Sequence, residues 1–209
     1  RNGYRNRMDM PRDTTTEALD DAPDEALLVL YANGDRLAAT ALTRRLVPRV
    51  LGYAARLLSD RAEAEDVTQE AMLRLWKIAP AWRTGEAQVS TWLYRVVTNL
   101  VTDRQRARHR RAATTLDDAP EVADEGRGAV AGMIEADRMA ALDAALAQLP
   151  DRQRQAVVLR HLEGLSNPEI AAIMDIGTEA VESLTARGKR ALAAILSGQK
   201  AALGYEDEE

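Results

Sequence analysis

The chain has 209 residues, 46% of them hydrophobic, and a formal net charge of -5, which allows one or two small domains with cores of their own. It holds no Cys and no Phe, and aromatics make up only 4%, so disulfides and thiolate metal sites are excluded and any core must be built from Ala, Leu, Val and Ile, a mix that suits helices over sheets. No run approaches the roughly 18 apolar residues needed to cross a bilayer and no signal-peptide pattern opens the chain, so the expected protein is soluble, cytoplasmic and all-α, without membrane insertion.

Residues 1–23 are expected to form a flexible N-terminal segment, and RNGYRNR ahead of Met8 and Met10 reads as upstream sequence. A first domain is expected over 24–112. Within it LTRRLVPRVLGYAARLL, residues 42–58, is helical on both sides of Pro48, which predicts a kink or a new helix there. SDRAEAEDVTQEAMLRLWKI follows, with Ser59 or Asp60 as N-cap and Glu63 placed for a capping box. Val67, Ala71 and Leu75 recur at i+4 with Met72 and Ile78 beside them, and Asp66, Gln69, Glu70 and Arg74 fall on the opposite side. APAWRTGEAQV, punctuated by Pro80 and Gly85, is a predicted loop.

The next helix, STWLYRVVTNLVTDRQRARHRR, carries one apolar stripe made of Trp92, Leu93, Val96, Val97, Leu100 and Val101. Thr91, Arg95, Thr98, Asn99, Thr102 and Arg106 are expected to share the open face, a set of donors without a carboxylate that suits phosphates and base edges. Tyr94, beside that face, is a candidate stacking platform, whereas Trp76 and Trp92 are expected in the core. The helix ends in Arg104, Arg106, Arg108, His109, Arg110 and Arg111. One or two cations satisfy a helix dipole, so six basic candidates in eight positions point to a polyanion. From Leu30 to Ala113 there are fifteen Lys or Arg against eight Asp or Glu, and from Thr114 to Asp137 seven acids against Arg127 alone. The small net charge therefore hides a basic block followed by an acidic one.

That acidic stretch is expected to be a flexible linker over 113–133, with a helix resuming after Gly132. A second domain is expected over 134–198 and an acidic tail over 199–209. In LSNPEIAAIMDIGTEAVESLTARGKRAL, Ser166 and Glu169 form a capping box with Pro168 in the first turn, and Thr178 is placed to cap the following helix. Ile170, Ala171 and Met174 stripe the first helix, and Val181, Leu184 and Leu192 the second. Short helix, glycine-containing turn, second helix is the helix-turn-helix pattern.

Taken together, AEAEDVTQEAMLRLWKIAPAWR, STWLYRVVTNLVTDRQRAR and LPDRQRQAVVLRHLEGLSNPEIAAIM with EAVESLTARGKRAL resemble, in this order, the group IV or extracytoplasmic function (ECF) sigma factors of bacterial RNA polymerase. The resemblance runs from about 35 to 196. It implies two small helical domains, the second a helix-turn-helix, that bind core polymerase and promoter DNA without any cofactor. It implies that Asp66, Gln69 and Glu70 meet the β′ clamp helices, and that the second domain meets the β flap. Asn99 is implied to contact the melted minus-ten element, with Arg95, Thr98, Thr102, Arg104, Arg106 and Arg108 around it. The loop Arg83 to Val89 would hold a flipped base, with Val89 where relatives often have Phe. Thr178, Glu182, Ser183, Ala186, Arg187, Lys189 and Arg190 are implied to face the minus-thirty-five element. Glu182 and Leu184 stand where many members are basic, so a different preference is expected, with Glu182 able to accept from a cytosine amino group. An anti-sigma factor is the expected regulatory partner.

Two alternatives stand beside this reading. A helix-turn-helix regulator acting without polymerase would need a sensory or phosphoacceptor domain ahead of it, and the first domain has no alternating β/α pattern. An enzyme would need a site, and the two histidines, His109 and His161, lie in no metal-ligand spacing. No GxSxG, GxGxxG or Walker loop is present. The chain is expected not to be an enzyme.

Overall fold

In the computed structural model, residues 19–114 and 130–202 are described, and every regular element among them is helical. Four helices make the first group: α1 (Asp24–Ala32), α2 (Arg36–Leu58), α3 (Arg61–Ile78) and α4 (Val89–Thr114). Four make the second: α5 (Val130–Ala147), α6 (Asp151–Val157), α7 (Asn167–Met174) and α8 (Thr178–Ala202), with a π-helical turn at Val158–Leu162 after α6. Most of the expected acidic linker and the end of the expected tail lie outside the described residues. Helix α5 is already formed at Val130, ahead of Gly132, and α8 runs into the stretch expected as tail.

Asp35 starts α2 by accepting from the Leu37 and Ala38 amides at 2.8 and 3.2 Å. Pro48 lies inside this one helix, so of the two expected outcomes no new helix begins there. Leu42, Leu46, Val50, Tyr53, Ala54 and Leu57 are buried on both sides of it, and burying such side chains at about 1.5–3 kcal/mol each outweighs a proline cost of about 3 kcal/mol. Ser59, in the left-handed region at φ 53°, ends α2. Asp60 at once caps α3 through the Glu63 amide at 3.0 Å, so the two helices are joined by only two residues.

In the second group the expected capping box is present, Glu169 accepting from the Ser166 amide at 2.7 Å and its hydroxyl at 2.6 Å. These bonds hold the Glu169 carboxyl below the ordinary glutamate range. Thr178 is the first residue of α8, and Gly177 takes the capping place, its carbonyl accepting from the Val181 amide at 3.2 Å. Gly188 lets α8 approach α6: a Cβ there would meet Val157 Cγ2 at 2.6 Å and the Gln153 carbonyl oxygen at 3.2 Å. That close approach sets the position of the helix-turn-helix on its support.

The two groups pack directly against each other. Arg154 of α6 is buried and donates to Leu57 O of α2 at 3.0 Å while also binding Ala147 O and Leu149 O of its own group. It thus serves the unpaired carbonyls at the C-terminal end of α2, and burial lowers its pKa. Gln105 of α4 joins the same Leu57 carbonyl and Asp151, both at 3.1 Å. Arg56 pairs with Asp143 of α5 at 3.3 Å, and the Tyr94 hydroxyl donates to Glu163.

Candidate polymerase and promoter surfaces

Helix α3 presents the first surface. Asp66 and Gln69 are exposed, and Glu70 is partly exposed and paired with Arg74 one turn on. Leu73 continues the row at i+3 from Glu70 and is 68% exposed, a large apolar side chain facing outward beside acids and an amide. Its helical spacing from Asp66, Gln69 and Glu70 is the signal in the sequence that places it with them, although its apolar character suggests the core.

Helix α4 divides the residues expected on one open face. Arg95, Asn99 and Arg106 are exposed. Thr98 is instead buried, its hydroxyl bonded to Tyr94 O and to the Tyr53 hydroxyl, both at 2.8 Å. Thr102 is half-buried, donating to Thr98 O at 2.8 Å and accepting from Gln155 of the second group at 3.4 Å. Tyr94 is not a stacking platform here: it is buried, edge-on to Tyr53 at 5.3 Å, with the Arg49 guanidinium over its ring at 5.8 Å. Burial raises its hydroxyl pKa, and so does the bond to Glu163. The second helical group meets this side of α4 at Tyr94, Thr102 and Gln105, and Tyr53 of α2 covers Thr98. Trp92 and Trp76 pack on the core as expected, each half-buried, with rings at 6.1 Å from Trp82 and 4.6 Å from Tyr31.

The arginine-rich end is also not one free cluster. Arg104 donates to Glu63 O at 3.3 Å and lies 3.9 Å from Asp66. Arg108 donates to Leu58 O at 3.0 Å and meets Glu63 at 3.0 Å and Asp60 at 3.8 Å. Both fasten α4 to the α2–α3 turn, whereas Arg106 is exposed with only Asp103 at 3.9 Å.

Between α3 and α4 the loop from Arg83 to Gln88 is exposed, with Gly85 at φ +87°. The Glu25 carboxylate of α1 accepts from the Gly85 amide at 3.1 Å and from Trp82 Nε1 at 3.5 Å. Nothing in the sequence pattern singles Glu25 out, because its partners lie about 60 positions away. An open cavity of about 460 Å³ lies beside this contact, lined by Glu25, Gly85, Gln88 and Ser90 among others.

The third surface is α8, where Thr178, Glu182, Ser183, Ala186, Arg187, Lys189 and Arg190 are all exposed. Asn167 donates to Glu182 at 3.2 Å, and Arg187 Nε to Ser183 O at 3.3 Å. Leu184 and Leu192 turn inward against the core. His161 is exposed, and desolvation, then Lys189 and Arg160, lower its pKa.

These features define a two-module sigma-70 protein: sigma-70 region 2 matches residues 42–111 and sigma-70 region 4 matches residues 139–192. ECF RNA polymerase sigma factor SigM of Mycobacterium tuberculosis is 35% identical over 174 residues, 83% of this chain and 84% of that protein. The ECF RNA polymerase sigma-E factor of Escherichia coli is 30% identical over 177 residues, 81% of this chain and 92% of its own. The chain belongs to the ECF RNA polymerase sigma factors, which are transcription initiation factors and not enzymes. Two solved structures share the fold. The sigma factor RpoE of Bartonella quintana, solved with the anti-sigma factor NepR, has a TM-score of 0.62 at 22% identity, covering 74% of this chain and 94% of that one. CnrH, solved with the cytosolic domain of CnrY, has a TM-score of 0.61 at 24% identity, covering 84% and 97%. Among the described residues no helix is long and apolar enough to cross a membrane.

Proposed function

We propose that this chain binds core RNA polymerase through α3, opens and reads the minus-ten element through α4 and the preceding loop, and reads the minus-thirty-five element through α8. Asp66, Gln69 and Glu70 would meet the β′ clamp helices, with Leu73 as an apolar anchor among them. Arg95, Asn99 and Arg106 are the α4 residues free to meet DNA: Asn99 for a base edge, the arginines for phosphate. Arg104 and Arg108 contribute by holding the helix in place and by their charge. Glu182, Ser183 and Arg187 lead the α8 contacts, with Thr178, Ala186, Lys189 and Arg190 around them, and the second module also meets the β flap. The observation that carries this reading is the order of the two region matches, each presenting an exposed polar helix face suited to its role.

Thr102 joins the minus-ten contacts only after the second module lifts from α4, whereas Thr98, bonded to Tyr53 of α2, acts from inside the first module by holding the helix. The free, closed protein is therefore a weak DNA binder, and core enzyme holds the modules apart. An anti-sigma factor holds the chain out of the holoenzyme in the cytoplasm, a reading supported by the similar sigma factor RpoE, solved with the anti-sigma factor NepR. Reversing both Asp66 and Glu70 to Lys tests the first step. Co-purification with core polymerase should fall about tenfold or more while the helical circular dichroism stays unchanged. Undiminished binding would remove α3 from the interface.

A further inference from the structure

The promoter surfaces above lie within the matched regions, but the loop that precedes α4 is held from outside them. Glu25 stands in the first turn of α1, ahead of the region 2 match that begins at residue 42. Its one oxygen, Oε1, accepts from both the Gly85 amide at 3.1 Å and Trp82 Nε1 at 3.5 Å. The loop needs such a hold. Its residues Arg83 to Gln88 are exposed, and Gly85 at φ +87° has no heavy atom near enough to touch an added Cβ, so packing does not fix its course.

The support for Glu25 is itself braced. Arg45 of α2 donates to Ala22 O at 2.8 Å, to Asp20 O at 2.7 Å and to Asp24 at 2.5 Å, and so ties the entry to α1 down on the module. A chain of contacts thus runs from α2 through residues 20–25 to the loop. The cavity of about 460 Å³ lies where this chain ends, with Gly85, Gln88 and Ser90 on the loop side and Glu25 on the other. Its size falls within the range of small-ligand clefts, which is ample for one nucleobase.

We propose that Glu25 is a positioning residue for promoter readout: it holds the loop 83–88 in the shape that receives an unstacked base of the melted minus-ten strand. This rests on the promoter reading given above. The role needs the carbonyl-type acceptor and the length of the side chain. Gln keeps both, Ala keeps neither, and Asp is one methylene too short to reach Gly85.

The test uses the full chain with core polymerase on a template library randomised across the promoter, with transcripts sequenced to give a base preference at each position. Wild type should enrich two motifs. Glu25→Ala and Glu25→Asp should flatten the preference at the base next to the loop by about fivefold or more, the loss expected when a base loses its shaped contact. The minus-thirty-five preference should be unchanged, and Glu25→Gln should restore the wild-type profile. Glu25 is not the positioning residue if Glu25→Ala keeps the wild-type preference. The proposal fails equally if output falls uniformly at all bases, because that is the mark of a merely structural contact. If wild type enriches no motif at all, the promoter reading fails, and the two failures are told apart.

Discussion

Replacing Gly188 with Ala places a methyl where α6 and α8 meet. The new Cβ would lie 2.6 Å from Val157 Cγ2, against about 3.5–4.0 Å for carbon atoms at rest, so the overlap is about 1 Å. The valine methyl has little room to retreat, since Val157 is 3% exposed, and the Gln153 carbonyl oxygen at 3.2 Å belongs to the α6 backbone. Overpacking of this kind costs about 1–3 kcal/mol. Ala in a helix interior recovers about 1 kcal/mol over Gly. The backbone contact puts the cost in the upper part of its range, leaving a net loss of about 1–2 kcal/mol. For two modules melting together that is a drop of about 2–8 °C, read by circular dichroism or scanning calorimetry. The pair Gly188→Ala with Val157→Ala should be less destabilised than the sum of the two single changes, by about 0.5 kcal/mol or more. A Gly188→Ala protein as stable as the parent, or a strictly additive pair, would refute the close approach of α6 and α8.

Three further outcomes follow from the geometry. The native chain has no Cys, so dyes on the two cysteines introduced by Arg61→Cys and Ala194→Cys report the distance between modules; Arg56→Asp should lower energy transfer and adding Asp143→Arg should restore it, whereas no change on the first substitution would mean the closed packing is absent in solution. Ser166→Ala should cost about 1 kcal/mol of second-module stability. Because the Glu169 pKa is lowered in the fold, this contribution is present above the ordinary glutamate range and is lost as pH falls through the lowered value; an acid-unfolding curve equally steep in Ser166→Ala would contradict it. Asn99→Ala should alter promoter output in a way that depends on the minus-ten sequence, and Arg106→Ala should weaken DNA binding across sequences while reducing its salt dependence; equal, sequence-blind effects would show that Asn99 reads no base.

Local signals carry much of this architecture. The capping box at Ser166 and Glu169, the start of α3 at Asp60 and the apolar rows of α3 and α4 are set within a turn or two of chain, and each is where the pattern puts it. What is not legible depends on partners far away. Helical period alone puts Thr98 and Thr102 on the open side of α4; Thr102 meets Gln155 of another module, about 50 residues on, and Thr98 is bonded to Tyr53 of α2, 45 positions back. Charge counting makes Arg104 and Arg108 look like free cations, but the carbonyls and acids of the α2–α3 turn occupy them. Pro48 sits in a helix whose burial on both sides overrides the break that proline alone predicts. Asp66, Asn99 and the α8 residues stand out because polar side chains recur at helical spacing opposite an apolar row. Glu25 has no such neighbours.

Run-off transcription tests the central claim most directly. Purified chain and core RNA polymerase, neither initiating at defined sites alone, are combined on a fragmented genomic template and the transcript starts are mapped. The account predicts discrete starts preceded by a common pair of motifs, lost when Asp66 and Glu70 are both reversed to Lys. Starts distributed as with core enzyme alone, or DNA sites bound equally well by the chain without core, would contradict it.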